Sequence, residues 1–233
     1  MKILKLTLLA AAATVSMGGA ALAQDESGPS VSFNIGAASD YVFRGYSQTD
    51  ENPQIFGGAD LAMDKFYAGV WASNVDFNDS TDAEVDVYAG FKPTVGPVAL
   101  DIAAIYYGYI DAPSGSGYGY FEGKIAGSVP VGKGSLGAAF YYSPDFFGPT
   151  DGDDAYYYEA NASFAVTDKL SISGAIGRQE ITKTTADYTT WNLGVGFAIN
   201  EHIGVDLRYW DTDEPKAVDL ADSRAVISLK ATF

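Results

Sequence analysis

A chain of 233 residues with 14 Lys and Arg against 30 Asp and Glu carries a formal charge of −16, which excludes a surface built to neutralise phosphates and so a nucleic acid partner. It contains no cysteine, so disulfides and thiolate metal sites are excluded and stability outside the cytoplasm has to come from backbone pairing and packing. The length suits one domain, and the mean hydropathy of +0.00 fits equally a soluble domain and a barrel with one lipid face and one wet face.

The first element is a leader. Met1 to Ala23 has Lys2 and Lys5, an apolar stretch from Leu6 through Val15, and Ala21-Leu22-Ala23 at its end, the pattern of a cleavable secretory signal peptide. Cleavage after Ala23 leaves a short periplasmic segment, residues 24–30, ahead of residues 31–233. No later stretch approaches the ~18 consecutive apolar residues of a membrane-spanning helix.

From Val31 onward, segments of about ten residues alternate apolar with small or polar side chains, the period of strands between two different environments. They are predicted at Val31 to Tyr46, Gln54 to Met63, Phe66 to Phe77, Ala83 to Lys92, Val98 to Tyr109 and Tyr118 to Val129. The second half gives Ser135 to Ser143, Ala155 to Val166, Leu170 to Glu180, Tyr188 to Ala198, Ile203 to Trp210 and Arg224 to Phe233. An even number of strands brings both ends of a closed antiparallel meander to the same side of a membrane. The last strand places Ala225, Ile227, Leu229, Ala231 and Phe233 on one face and Val226, Ser228, Lys230 and Thr232 on the other, and it ends the chain on an aromatic ring.

The connections alternate in length. Met63-Asp64-Lys65, Pro93 to Pro97, Pro130 to Gly134, Thr167-Asp168-Lys169 and Ile199 to His202 are short, while the intervening ones are mostly longer, polar and rich in Asp. Short periplasmic turns and longer outer loops are the rule for outer-membrane barrels. Tyr41, Phe43, Tyr106, Tyr120, Tyr142, Tyr156, Tyr158, Trp191 and Tyr209 fall toward the long-loop ends, and Phe66, Phe91, Phe164, Phe197 and Phe233 toward the short-turn ends, as two aromatic girdles would. The fold class predicted is therefore all-β: a transmembrane antiparallel up-and-down barrel of about 12 strands behind a signal peptide, placed in the bacterial outer membrane among its lipids and lipopolysaccharide.

Parity then assigns the interior. If Val85, Val87, Ala89 and Phe91 meet lipid, Glu84, Asp86, Tyr88 and Lys92 point inward, and the same logic puts Asp40, Arg44, Asp60, Asp101, Glu122, Lys124, Glu159, Asn161, Asp206, Arg208 and Lys230 inside. A charge facing lipid at mid-depth costs about 2 to 4 kcal/mol for Arg or Lys, so a bilayer would impose this segregation. Arg178 is on lipid parity near an outer end, where it can snorkel. Twelve strands about 4.8 Å apart and tilted about 40° give a backbone radius of roughly 12 Å and a free lumen of about 10 Å or less. The inward charges suit either of two roles: a narrow pore for ions or small solutes that prefers cations, or a sealed interior whose charges pair with one another and fix register. Asp40, Arg44 and Asp60 form a constriction in the first case, and Gly45 ends the first strand or permits a bulge.

Ser39-Asp40-Tyr41-Val42-Phe43-Arg44-Gly45-Tyr46-Ser47-Gln48-Thr49, followed by Pro53-Gln54 and Gly58-Ala59-Asp60, resembles the opening strands of the TorF-type porins of proteobacteria, and Glu84 to Phe91 looks like that family's fourth strand. The resemblance covers essentially the whole chain after the leader and implies an outer-membrane porin. It names no substrate. The chain departs from the family's pattern at Tyr107-Gly-Tyr109-Ile110, where a Tyr-Pro pair would be expected.

Other classes find less support in the residues. Barrel hydrolases use a His base beside Ser or Asp at the outer rim, whereas the single histidine, His202, falls in a short turn. Asp151-Gly-Asp153-Asp154 offers oxygen donors but lacks the spacing of an EF-hand loop, so no metal site or cofactor is expected. Phe146-Phe147 in the same loop either folds inward as a plug or meets lipid headgroups. A non-conducting structural or adhesion barrel with acidic loops is the alternative to a pore, and an outer-membrane enzyme the more distant one.

Overall fold

The computed structural model describes residues 28–148, 153–184, 186–215 and 218–233. The predicted leader and Asp151 lie outside them. In chain order the strands are β1 (Ser30–Ala38), β2 (Val42–Phe43), β3 (Tyr46–Ser47), β4 (Gln54–Met63), β5 (Phe66–Asn74), β6 (Ala83–Phe91), β7 (Thr94–Val95) and β8 (Val98–Ile110). They continue with β9 (Tyr120–Val131), β10 (Gly134–Ser143), β11 (Ala155–Ala165), β12 (Leu170–Ile181), β13 (Tyr188–Ala198), β14 (Ile203–Thr212) and β15 (Arg224–Thr232).

Every long strand pairs antiparallel with the long strands before and after it, and β1 pairs with both β4 and β15, so the meander closes on itself. The short arm β7 pairs on β8 alone, and β2 with β3 forms a separate hairpin, which leaves a closed barrel of 12 strands. The chain end seals the seam: Phe33 N–H donates to the Phe233 carbonyl at 3.0 Å and Phe233 N–H returns the bond at 2.9 Å. Closure leaves no strand edge to template aggregation, which a cysteine-free chain needs.

The apolar side chains are on the outside. Phe121, Leu193 and Val31 are each 60 % or more exposed, whereas Glu84, Asp86, Gln179 and Thr190 on the inner face are 2 % exposed or less. In water this belt would be a vast sticky surface, so its natural environment is hydrocarbon. No helix among the described residues is long and apolar enough to cross a membrane.

Two predicted strands end early. The first was expected to run from Val31 to Tyr46, but β1 stops at Ala38. Asp40, Ser47 and Thr49 bond to one another there, offering the backbone a local alternative to the ladder, and the chain turns into the lumen. The third, expected to reach Phe77, stops at Asn74, and Phe77 joins an aromatic cluster over the long-loop mouth. The girdle assignment also needs correction. Tyr41, Phe43 and Tyr120 face inward, while Tyr106, Tyr142, Tyr158, Trp191 and Tyr209 are exposed at one end and Phe66, Phe164, Phe197 and Phe233 at the other. Arg178 faces outward at the long-loop end as expected, bonded to Thr189 and 3.8 Å from both Asp187 and Asp213.

Candidate functional site

Residues 39–52 cross the barrel from within. Their fold begins with Asp40, whose Oδ1 accepts from Ser47 Oγ at 2.7 Å and Thr49 Oγ1 at 2.9 Å, while Oδ2 accepts from Arg224 Nη1 at 2.9 Å. Tyr41 N–H donates to Thr49 Oγ1 and Gln48 N–H to the Tyr41 carbonyl, which pins the stems of the β2–β3 hairpin. Its tip is a two-residue turn with φ of 48° at Arg44 and 93° at Gly45, the doubly positive pair of a type I′ turn. Gly45 is also confined: a Cβ there would collide with Thr190 on β13 and Thr212 on β14. Gly45 is thus the tip of a hairpin held against β13 and β14, and neither a strand end nor a bulge.

Arg44 anchors that tip. Nη2 donates to both carboxylate oxygens of Glu122 on β9 at 2.8 Å, and Nη1 to Gln179 Oε1 on β12 at 3.1 Å. Its guanidinium lies 4.8, 4.9 and 4.3 Å from the ring centres of Phe43, Tyr141 and Tyr157. Both ends of the ion pair are almost wholly buried, so removing either partner would leave an uncompensated charge away from water. On either side, Phe43 meets Tyr107, and Tyr46 packs on Tyr188 while its hydroxyl donates to Glu214 at 2.8 Å.

Beside the hairpin, β6 presents two inward carboxylates. Glu84 accepts from Tyr41 Oη at 2.7 Å, which ties hairpin to wall. Asp86 is fully buried beside it, and the two carboxyl groups share a side-chain hydrogen bond. Above them lies an aromatic lid. Tyr107 stacks on Tyr120 at 4.5 Å, Phe146 meets Tyr120 at 5.1 Å, and Phe147 stacks on Tyr118 at 4.6 Å. Phe146-Phe147 therefore folds inward. Together the hairpin and lid fill the long-loop half of the lumen.

The short-turn half carries interleaved charges. Tyr88 Oη donates to Asp60 at 2.6 Å, Tyr67 Oη and Lys124 Nζ donate to Asp101 at 2.7 and 2.8 Å, and Asn161 donates to Glu159 at 2.9 Å. Arg208 bonds Asp206 at 3.1 and 3.0 Å, Asn192 at 2.7 Å and Ser173 Oγ at 2.9 Å. Lys230 sits half-buried on the same inner wall, where Gly36 and Gly204 are its register neighbours. A cavity of about 50 Å³ separates the hairpin tip from this ring, bounded by Phe43 and Arg44 on one side and Tyr67, Lys124 and Glu159 on the other.

All of the predicted interior charges thus lie on the lumen side, but Asp40 and Arg44 arrive on a hairpin and not by strand parity. Arg224, which bonds Asp40 and lies 3.2 Å from Glu51, was missed although it shares the inward parity of Lys230. Gln179, Tyr141 and Tyr157 were missed as partners of Arg44, and only tertiary structure brings them to it. In the long loop, Asp153 pairs with Lys183 at 2.9 Å and Asp154 accepts from Tyr142, and the described residues contain no group of three or more His, Cys, Asp or Glu placed to hold a metal. His202 bonds the Thr232 carbonyl through Nδ1 and stacks on Phe233 at the short-turn end.

Among solved structures the fold is similar to "KdgM porin", with a TM-score of 0.62 at 8 % identity over 87 % of this chain and 99 % of that one. It is likewise similar to "KdgM porin in complex with disordered oligogalacturonate" (TM-score 0.60, 8 % identity, 87 % and 98 % covered) and to the "NanC porin" (0.58, 9 %, 88 % and 99 %). At such identity the likeness shows the barrel fold. No curated protein matches the chain in sequence. Residues 22–233 match the family described as "Bacterial protein of unknown function (Gcw_chp)", and the chain belongs to that family.

Proposed function

We propose that the protein is an outer-membrane channel for passive diffusion of ions or small solutes, narrow, cation-preferring, and obstructed from its long-loop side by the 39–52 hairpin. The observation that carries this reading is the inverted distribution of polarity: a hydrocarbon-seeking exterior around an interior lined by Asp60, Asp101, Lys124, Glu159, Asp206, Arg208 and Lys230, part of it open to water. The acidic surplus of the chain supports the preference for cations. The likeness to porins supports the class, and the resemblance to TorF-type porins supports assignment to that group. The oligogalacturonate named with KdgM is an acidic polymer and is not carried over to this acidic lumen.

In this reading Met1 to Ala23 is the exported leader, residues 24–30 are periplasmic, and residues 31–233 form the barrel, its belt against lipid and its acidic loops among lipopolysaccharide. No enzymatic role is proposed, since His202 is far in the barrel from the long-loop carboxylates and holds the chain end. Discrete current steps from refolded protein in planar bilayers, with a reversal potential favouring potassium in a KCl gradient, are the expected result. Silence across a range of salts would remove the channel reading. It would favour the second one, a non-conducting structural or adhesion barrel, for which the Arg44–Glu122 bridge across a packed half-lumen is the specific support.

A further inference from the structure

Arg44 is a poor choice for its own turn. The first central position of a type I′ hairpin favours Asn, Asp or Gly, and at φ 48° a long side chain bears the left-handed penalty without relief from the backbone. The compensation lies at the far end of the side chain, where the guanidinium enters a ready container. Phe43 alone among its ring partners moves with the hairpin; Tyr141 and Tyr157 face each other across the β10–β11 ladder, and Glu122 and Gln179 project from β9 and β12.

That container is held in shape by the wall itself. Gln179 Nε2 donates to the Tyr156 carbonyl at 3.2 Å, which turns its Oε1 toward the lumen, and Tyr107 Oη donates to Glu122 at 3.1 Å. The result is a carboxylate that takes one terminal nitrogen through both of its oxygens, an amide oxygen that takes the other, and rings that cover the faces. These are the recognition elements for a guanidinium group; an ammonium would use the rings but not the fork geometry.

We propose that Glu122, Gln179, Tyr141 and Tyr157 form a binding site for guanidinium-bearing cations, and that Arg44 fills it in place of a solute, so the hairpin holds the lumen shut by self-occupancy. A solute cation that takes the site excludes Arg44 and favours the state in which the hairpin has left the lumen, because a ligand shifts an equilibrium toward the state that can bind it. As a statement about transport this rests on the channel reading; as a statement about binding it does not.

The test uses the full chain, refolded, as wild type and as Arg44→Ala, with millimolar guanidinium chloride against equal sodium chloride and tetramethylammonium chloride. Arg44→Ala is expected to give current steps several-fold larger than wild type, and guanidinium, unlike either control, is expected to enlarge the wild-type steps toward those of Arg44→Ala. Its thermal unfolding midpoint is expected to rise with guanidinium alone, and Arg44→Ala with Glu122→Gln to lose that response. A midpoint shift that is absent, equal in the controls, or retained in the double variant would overturn the site. Guanidinium stabilisation without current in either protein would leave the site standing and remove the channel, while current without guanidinium response would do the reverse. Should Arg44→Ala not fold, Arg44→Gln, which removes the cation but keeps a long polar side chain, takes its place with the same readouts.

Discussion

Arg44 and Glu122, 78 positions apart in sequence, meet at 2.8 Å in the dry half of the lumen, and their energetics are asymmetric. Glu122→Gln leaves the guanidinium without its counter-charge and should cost about 3 to 5 kcal/mol, whereas removing both charges should cost less than the sum of the two single changes. Urea unfolding of the refolded single and double variants measures this coupling, and additive losses would mean that the pair does not hold the hairpin. Gly45 makes a second prediction at this scale. With φ of 93° and no room for a Cβ between Thr190 and Thr212, Gly45→Val should dislodge the tip and raise conductance while the strand content seen by circular dichroism stays unchanged. The inward placement of Glu84, Asp101 or Arg208 was readable from parity because a strand's period is two. Which residue Arg44 would find was not readable, because Gln179 and Tyr157 come from strands joined to it only by the closure of the barrel.

At the level of elements, twelve alternating segments and short turns alternating with mostly longer loops were enough to place the barrel strands. The error fell where local chemistry overrides the period. Phe43-Arg44-Gly45-Tyr46 reads as a strand continuing from β1 if only alternation is counted, but a residue followed by Gly between two aromatic positions is also a hairpin signal, and Asp40 with Ser47 and Thr49 supplies the bonds to close it. Replacing residues 41–48 by a short Gly-Ser linker should therefore leave β1 and β4 paired and enlarge the current steps, whereas loss of folding would make the hairpin part of the barrel's stability. The lipid belt gives a complementary test on β13. Leu193, 61 % exposed at mid-strand, should cost about 2 to 4 kcal/mol as Leu193→Arg in unfolding from a bilayer. Its inward neighbour Asn192 meets Arg208 instead, so Asn192→Leu should act through that contact and not through lipid.

Across the whole molecule, a closed sheet turns the usual arrangement inside out: apolar side chains outside, paired charges within, and a hairpin at the long-loop end that fills half the passage. In the proposed channel the chain's charge of −16 would favour cations at the mouth, while Lys124, Arg208 and Lys230 at the short-turn end keep the ring from being a purely acidic funnel. A passage with these features should be narrow, cation-preferring and limited by the hairpin. Single-channel recording of the full chain beside the variant lacking residues 41–48, in a KCl gradient, tests that most directly. The account predicts small steps from the full chain, larger ones from the variant, and reversal potentials on the potassium side for both; silence from both proteins, or reversal toward chloride, would contradict it.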